Sequence, residues 1–284
     1  MSKIVNLKKS IKSNSALENI IRRVMRPYFW FCWQRGDFQA WLRKKGISPS
    51  KKYEYIKSMK NTHVGERCFV VATGPSLTFE DLNALKDEFC FGMNSCVLAL
   101  DKTEWTPQIV GCEDEYVYEK IEARLLEESK DRLKGRVLIS HNVEQFFPSA
   151  KQFMIFPQNI LDHKYDLNKY GTIKFSDDCH AIVYDAWSIL FSLLQFAVYM
   201  GFKEIYLIGA DCNYNNGNSH FIDHGVKDSH AFLAGRRLIY CHERFKEFAD
   251  SKDVKVYNCT RGGMLEVYPR KKLEDVLSQE KNRI

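Results

Sequence analysis

The sequence predicts an α/β protein in which a mostly parallel sheet lies between two layers of helices, with a basic, aromatic, helical arm ahead of it. Three observations carry this expectation. Short β-like runs alternate with helical periodicity from about residue 65 onward, turn residues separate most of them, and the charge distribution divides at about residue 52. A chain of 284 residues that is 45% hydrophobic is long enough to bury a substantial core.

The arm comes first. Residues 1–52 carry 13 Lys and Arg against only Glu18 and Asp37, whereas the rest of the chain holds 29 basic and 34 acidic residues. A mildly acidic body is not the footprint of a protein that reads nucleic acid along its main face. Within the arm, Trp30, Trp33 and Trp41 stand among Arg22, Arg23, Arg26, Arg35, Arg43, Lys44 and Lys45, and no apolar run approaches membrane-spanning length. Such a segment suits a helix lying in the interface of an anionic membrane; the alternative is a helical hairpin packed on the main domain. Residues 47–61, rich in Lys, Ser and Tyr, read as a linker, so the expected organisation is an arm and linker over 1–60 and one domain over 61–284.

In the main domain a strand over 68–72 runs into Gly74, Pro75 and Ser76, with Thr78 placed to cap a helix over 79–86. A strand over 89–93 ends at Asn94 and Ser95, and one over 108–112 ends at Glu113 and Asp114 before a helix over 115–131. Strands follow at 137–140 and 153–156. Residues 181–200 read as one long apolar helix on which Asp185, Ser188, Ser192 and Gln195 form a polar stripe, closed by Gly201. A strand over 205–209 leads to Asp211, Asn213 and Tyr214, and a helix over 229–250 precedes the last strand at 254–257. Strands alternating with crossover helices make the domain Rossmann-like.

The nine cysteines lack any C-x-x-C spacing, and no cleavable signal peptide is evident, so they read as free thiols in a reducing, cytoplasmic compartment.

In an open parallel sheet ligands bind at the carboxyl ends of the strands, where a glycine turn lets backbone amides approach an anion. "ATGPSL" has that form, without the three glycines of a dinucleotide fingerprint or the Gly-Lys-Ser/Thr of a P-loop. A plain tight turn explains it equally. The loop "DCNYNNGNSHFIDHG" puts His220 and His224 near Asp211 and Asp223 in sequence. Histidine suits proton abstraction from a hydroxyl near neutral pH. The same residues could bind a divalent cation, though without H-E-x-x-H spacing, or simply line a polar surface loop.

"ATGPSL" with "GMNS", then "MGFKEIYLIGADCNY", then "NSHFIDH", resembles the successive motifs of bacterial CMP-sialic acid-dependent sialyltransferases of glycosyltransferase family 42. The chain is also similar to the broader family of flagellin-modifying transferases and 6-hydroxymethylpterin pyrophosphokinase-like proteins, which the segment "YNCTRGGMLEVYPR" resembles more. The likeness covers about residues 67–269. It implies a CMP-sugar donor bound by Thr73, Gly74, Pro75, Ser76, Asn94, Ser95, Ser188 and Asp211, with a glycan acceptor. His220 would be the general base, His224 its fallback, and Tyr214 a donor of a hydrogen bond to the departing phosphate. No cofactor or metal is implied by that reading, and a homo-oligomer is compatible with it. The pyrophosphokinase alternative implies Mg²⁺ held near Glu113 or Asp114. With the arm, the resemblance implies a bacterial polysaccharide-building transferase seated on the inner face of the membrane.

Overall fold

The computed structural model describes residues 20–21, 23–160, 173–213, 220–222, 225 and 231–281. Its frame is a seven-stranded sheet built from β1 (Arg67–Val71), β2 (Cys90–Met93), β3 (Ile109–Cys112), β4 (Val137–Ser140), β5 (Met154–Phe156), β8 (Glu204–Ile208) and β9 (Lys255–Asn258). The spatial order is β5-β4-β3-β2-β1-β8-β9, and every pairing is parallel. A two-stranded parallel pair, β6 (Gln158–Asn159) and β7 (Val183–Tyr184), follows the carboxyl end of β5.

Both faces of the sheet are buried, so its strands read as continuous apolar runs rather than alternating ones. Cys68 and Val70 of β1, Leu138 of β4, and Ile205 and Leu207 of β8 enter one core. Their neighbours Phe69, Val71, Val137, Ile139, Tyr206 and Ile208 enter the other. The first core is covered by α5 (Ile189–Met200) and α6 (Ala231–Ser251). The second is covered by α2 (Phe79–Ala84), α3 (Glu115–Glu128), α7 (Leu273–Lys281) and a 3-10 segment over Asn94–Lys102. A short α4 (His141–Glu144) follows β4. The expected three-layer, Rossmann-like architecture is therefore the one observed.

Local chemistry explains most boundaries. Thr78 and Asp81 form a reciprocal capping box that starts α2. Gly201, at φ 97°, ends α5 in the left-handed conformation that favours glycine. Gly111 lets α5 approach the sheet, since a Cβ there would lie 2.7 Å from Leu193 and 3.1 Å from Ile189.

Two expectations need correction. The helix expected over 181–200 begins only at Ile189, because 181–184 is captured as an edge: Val183 N donates to Pro157 O at 2.8 Å and β7 pairs with β6. The Gln195 side chain then satisfies Tyr184, accepting from its N–H at 3.1 Å and donating to its C=O at 2.6 Å. Asp185 and Ser188 thus precede the helix, and only Ser192 and Gln195 of the expected stripe lie on its face. The second correction concerns residues 47–61, which hold a 3-10 helix over Glu54–Met59 with Ile56 fully buried and Tyr55 OH donating to Ile155 O at 2.8 Å. This is packed structure, not a bare linker.

The arm forms α1 (Arg26–Lys44), with Pro27 in its first turn and Arg43 and Lys44 in its last. Ala40 packs with Ala181 and Ile182. Among the described residues no helix is long and apolar enough to cross a membrane, and all nine cysteines are thiols, eight of them buried.

Candidate functional site

From β1 the chain runs outward to β5, then returns to lay β8 against the other side of β1. Loops leaving β1 and β8 therefore diverge, and the crevice at that switch point is where an open parallel sheet receives ligands. Both loops are polar and they touch. Ser76 Oγ donates to Asp211 Oδ2 at 2.8 Å, and Gly74 N donates to Gly209 O at 2.8 Å. Gly74 is dictated by this closeness: a Cβ there would stand 2.0 Å from Asp211 Oδ2 and 2.4 Å from Gly209 O. Gly209 itself has φ 68°, and Cys212 has φ 50°, so the chain bends sharply on either side of Asp211. Burial raises the Asp211 carboxyl above its ordinary range, and the Ser76 hydroxyl and amide partly offset this.

Two further segments close on the crevice. Phe221 N donates to Thr73 O at 2.7 Å, its ring meets Phe79 at 4.8 Å, and Ser95 Oγ lies 3.5 Å from Ile222 O. These contacts bring the half-buried His220 beside the loops that follow β1 and β2. Asn94 has φ 48°, and its Oδ1 is sealed from solvent with no hydrogen-bond partner among the described residues. On the other side, the loop after β9 braces Asp211: Met264 N donates to Asp211 O at 2.7 Å, and a Cβ on Gly263 would sit 2.7 Å from that oxygen. Thr260 Oγ1 accepts from Ala210 N at 2.9 Å. Arg261 reaches across to Asp81, donating to Oδ1 at 2.7 Å, and so ties this loop to the start of α2.

A second polar group gathers farther along the same edge. Glu113, after β3, accepts from Ser192 Oγ at 2.7 Å and from Gln158 Nε2. Asn142 Nδ2 donates to Gln158 Oε1 at 3.1 Å, and His141 Nδ1 accepts from Gln158 N at 3.0 Å. Burial, reinforced by Asp185, holds the Glu113 carboxyl well above the usual range, favouring its neutral form. Burial likewise lowers His141 to about 4, with Lys52 adding to the effect. Asp114 is committed elsewhere, its Oδ1 capping α3 by accepting from Tyr116 N at 2.7 Å and Val117 N at 3.1 Å.

Of the residues singled out by sequence, Thr73, Gly74, Ser76, Asp211 and Ser95 come together at the switch point. Asn94 directly precedes Ser95, Pro75 sits exposed on the turn, and His220 adjoins them. Ser188 instead caps α5, accepting from Leu190 N at 3.3 Å. Tyr214, His224 and Asp223 lie outside the described residues. Sequence reasoning missed Gln158 and Asn142, which carry no motif, and Gly263 and Arg261, for which the Gly-Gly of "TRGGM" was the available signal. It also missed backbone strain: Asn94, Ala186, Trp187 and Cys212, four non-glycine residues at positive φ, all follow carboxyl ends of strands.

Residues 44–217 match the model of the family described as "6-hydroxymethylpterin diphosphokinase MptE-like". The chain belongs to this family. No curated protein matches it. Among solved structures, this MptE-like chain is similar to the MAf glycosyltransferase from Magnetospirillum magneticum AMB-1, at 14% identity and TM-score 0.46, over 82% of this chain and 40% of that one. It is also similar to the sialyltransferase CstII from Campylobacter jejuni, at 13% identity and TM-score 0.34, over 72% of this chain and 85% of that one. The chain thus spans less than half the length of the first of these structures.

Proposed function

We propose that this MptE-like chain is an inverting glycosyltransferase that moves a nonulosonic sugar from a CMP donor to a glycan hydroxyl at the β1–β8 switch point. The observation that carries the reading is the contact of the 220–222 segment with the loops after β1 and β2, through Phe221 N to Thr73 O at 2.7 Å. That contact supports a histidine acting beside the glycine turn that follows β1. The matching N-S-H motif supports the assignment.

The chemistry balances without a redox partner. The bond from the sugar's anomeric carbon to the phosphate oxygen breaks, and its electron pair leaves with CMP. The acceptor oxygen forms the new glycosidic bond, and its proton passes to His220. The Tyr214 hydroxyl stabilises the charge that develops on the phosphate. Asp211 holds Ser76 in place, and Thr73, Asn94 and Ser95 shape the nucleotide pocket.

His220→Ala should lower turnover by about 10²–10⁴ while donor affinity stays within a few-fold, as expected when a positioned proton acceptor is lost. Near-normal transfer by that variant, with His224→Ala also active, would end the histidine-base mechanism. A second reading is favoured by the family's description: a Mg²⁺-dependent diphosphokinase acting on a pterin or related small molecule, in which Mg²⁺ would be held by Glu113 once ionised, since Asp114 caps α3. Calorimetry with CMP against ATP and Mg²⁺ separates the two, because the transferase binds CMP without metal.

A further inference from the structure

The inward and outward faces of the arm differ sharply, and together they assign it a partner. Inward, α1 is pinned to the domain. Asp37 Oδ1 accepts from Tyr184 OH at 3.0 Å and its Oδ2 from Lys174 Nζ at 3.2 Å, while Arg43 Nε donates to Ala181 O at 2.7 Å. Lys174 also sits 4.5 Å over the Trp33 ring. Gly36 brings the helix against Asn159, whose Nδ2 would lie 3.4 Å from a Cβ there.

Outward, the helix offers the apolar surface an ordinary core-facing helix would hide. Ile20 and Val24 lie on a helical turn joined to α1 by Met25 N to Ile21 O at 2.8 Å and Phe29 N to Met25 O at 2.9 Å. They continue through Tyr28, Phe31, Phe38 and Trp41 at steps of about three, four and seven, which is one helical face. Exposure is 72% at Val24, 61% at Phe31, 58% at Phe38 and 49% at Trp41. Arg23, Arg35, Lys44 and Lys45 are exposed around this stripe. The only acidic residue between positions 20 and 45 is Asp37, and it faces the domain.

We propose that this face of α1 docks in the interface of an anionic lipid bilayer, and that the domain is held there with its carboxyl-edge crevice close to the lipid. Charge selects the partner, since aromatic and aliphatic side chains ringed by cations with no facing carboxylate match an acidic headgroup layer over an acyl boundary. A self-association interface would instead set the arginines and lysines of two copies against each other. The orientation follows from what α1 grips. Its inner face holds β7 and Asn159 of β6, and Gln158 of the same strand bonds Glu113 in the polar group farther along the carboxyl edge that also carries the crevice. On the glycosyl-transfer reading above, the natural acceptor is a glycan carried on a lipid anchor; the docking itself does not depend on that reading.

The test is sedimentation of the full-length chain with vesicles of phosphatidylglycerol and phosphatidylcholine, against vesicles of phosphatidylcholine alone. Wild type should pellet with the anionic vesicles, with a blue shift of tryptophan emission. Binding should weaken from about 0.1 M to about 1 M salt as the Debye length falls from about 10 Å to about 3 Å. The triple variant Phe31→Ser, Phe38→Ser, Trp41→Ser removes exposed side chains only, so it should keep the wild-type circular dichroism while its vesicle affinity falls about tenfold or more. Arg35→Glu with Lys45→Glu should abolish the preference for anionic vesicles. No binding by wild type, equal binding by the triple variant, or a dimer in light scattering that the triple variant converts to monomer would overturn the proposal. Because no donor or acceptor is present, these outcomes are independent of whether the chain transfers a sugar.

Discussion

At the scale of single residues, the placement of buried titratable groups sets the terms of stability and of binding. Asp211 and Glu113 are both carboxyls whose folded-state affinity for a proton is raised, Asp211 by burial and Glu113 by burial and Asp185. A raised carboxyl binds more proton in the folded state than in the unfolded one, so its ionisation erodes stability as pH rises through the folded value. Glu113→Gln, which keeps shape and can still accept from Ser192, should therefore melt higher than wild type near pH 8. The gap should close as pH falls toward the ordinary glutamate range near about 4.3. His242 works in the opposite sense: buried against Phe191 and Tyr268, it is pushed down to about 3. Its folded form resists protonation, so stability is full above about 6.5 and is lost as pH falls below it. A His242→Phe chain should lose less of its melting temperature between pH 7 and pH 4 than wild type does. Ser76→Ala leaves Asp211 without its best donor. It should cost about 1–2 kcal/mol in urea unfolding, together with weaker nucleotide binding.

At the scale of elements, the decisive fits are between backbone and backbone. Gly74→Ala would press a methyl to within 2.0 Å of Asp211 Oδ2 and 2.4 Å of a main-chain oxygen, and only the first of these can move. It should cost about 1–3 kcal/mol and separate the two switch-point loops, which calorimetry would register as lost nucleotide binding. The strands and their polar ends were legible in the sequence because a parallel strand buried on both faces is a compact apolar run with a turn at its end, as at Cys68 to Gly74. The start of α5 was not legible. Residues 181–188 are as apolar as a helix, and what holds Val183 and Tyr184 extended within them is remote: Pro157 and β6 from one side and the Gln195 amide from the other. The same holds for the site. Gly74, Asp211 and His220 carry recognisable motifs, whereas Gln158 and Arg261 gain their meaning only from partners that the fold delivers.

At the scale of the whole molecule, two cores divide the sheet, and the first is anchored by an aromatic cluster. Phe202 is fully buried and meets Phe89 at 4.8 Å, Phe91 at 6.1 Å and the His63 ring at 4.7 Å. Phe202→Ala should cost about 3–5 kcal/mol, read as a lower urea midpoint with little change in slope. The same fold that brings β8 beside β1 also schedules the molecule's assembly. Ser76 and Asp211 touch across 135 residues of sequence. A ribosome adding about 5–20 residues per second needs roughly 7–27 s to supply the second partner after the first has emerged. Throughout that interval one long edge of β1 stands open, lined by the unpaired N–H and C=O groups of a hydrophobic strand. The nascent chain is then a substrate for chaperones before it can bind anything at its own crevice.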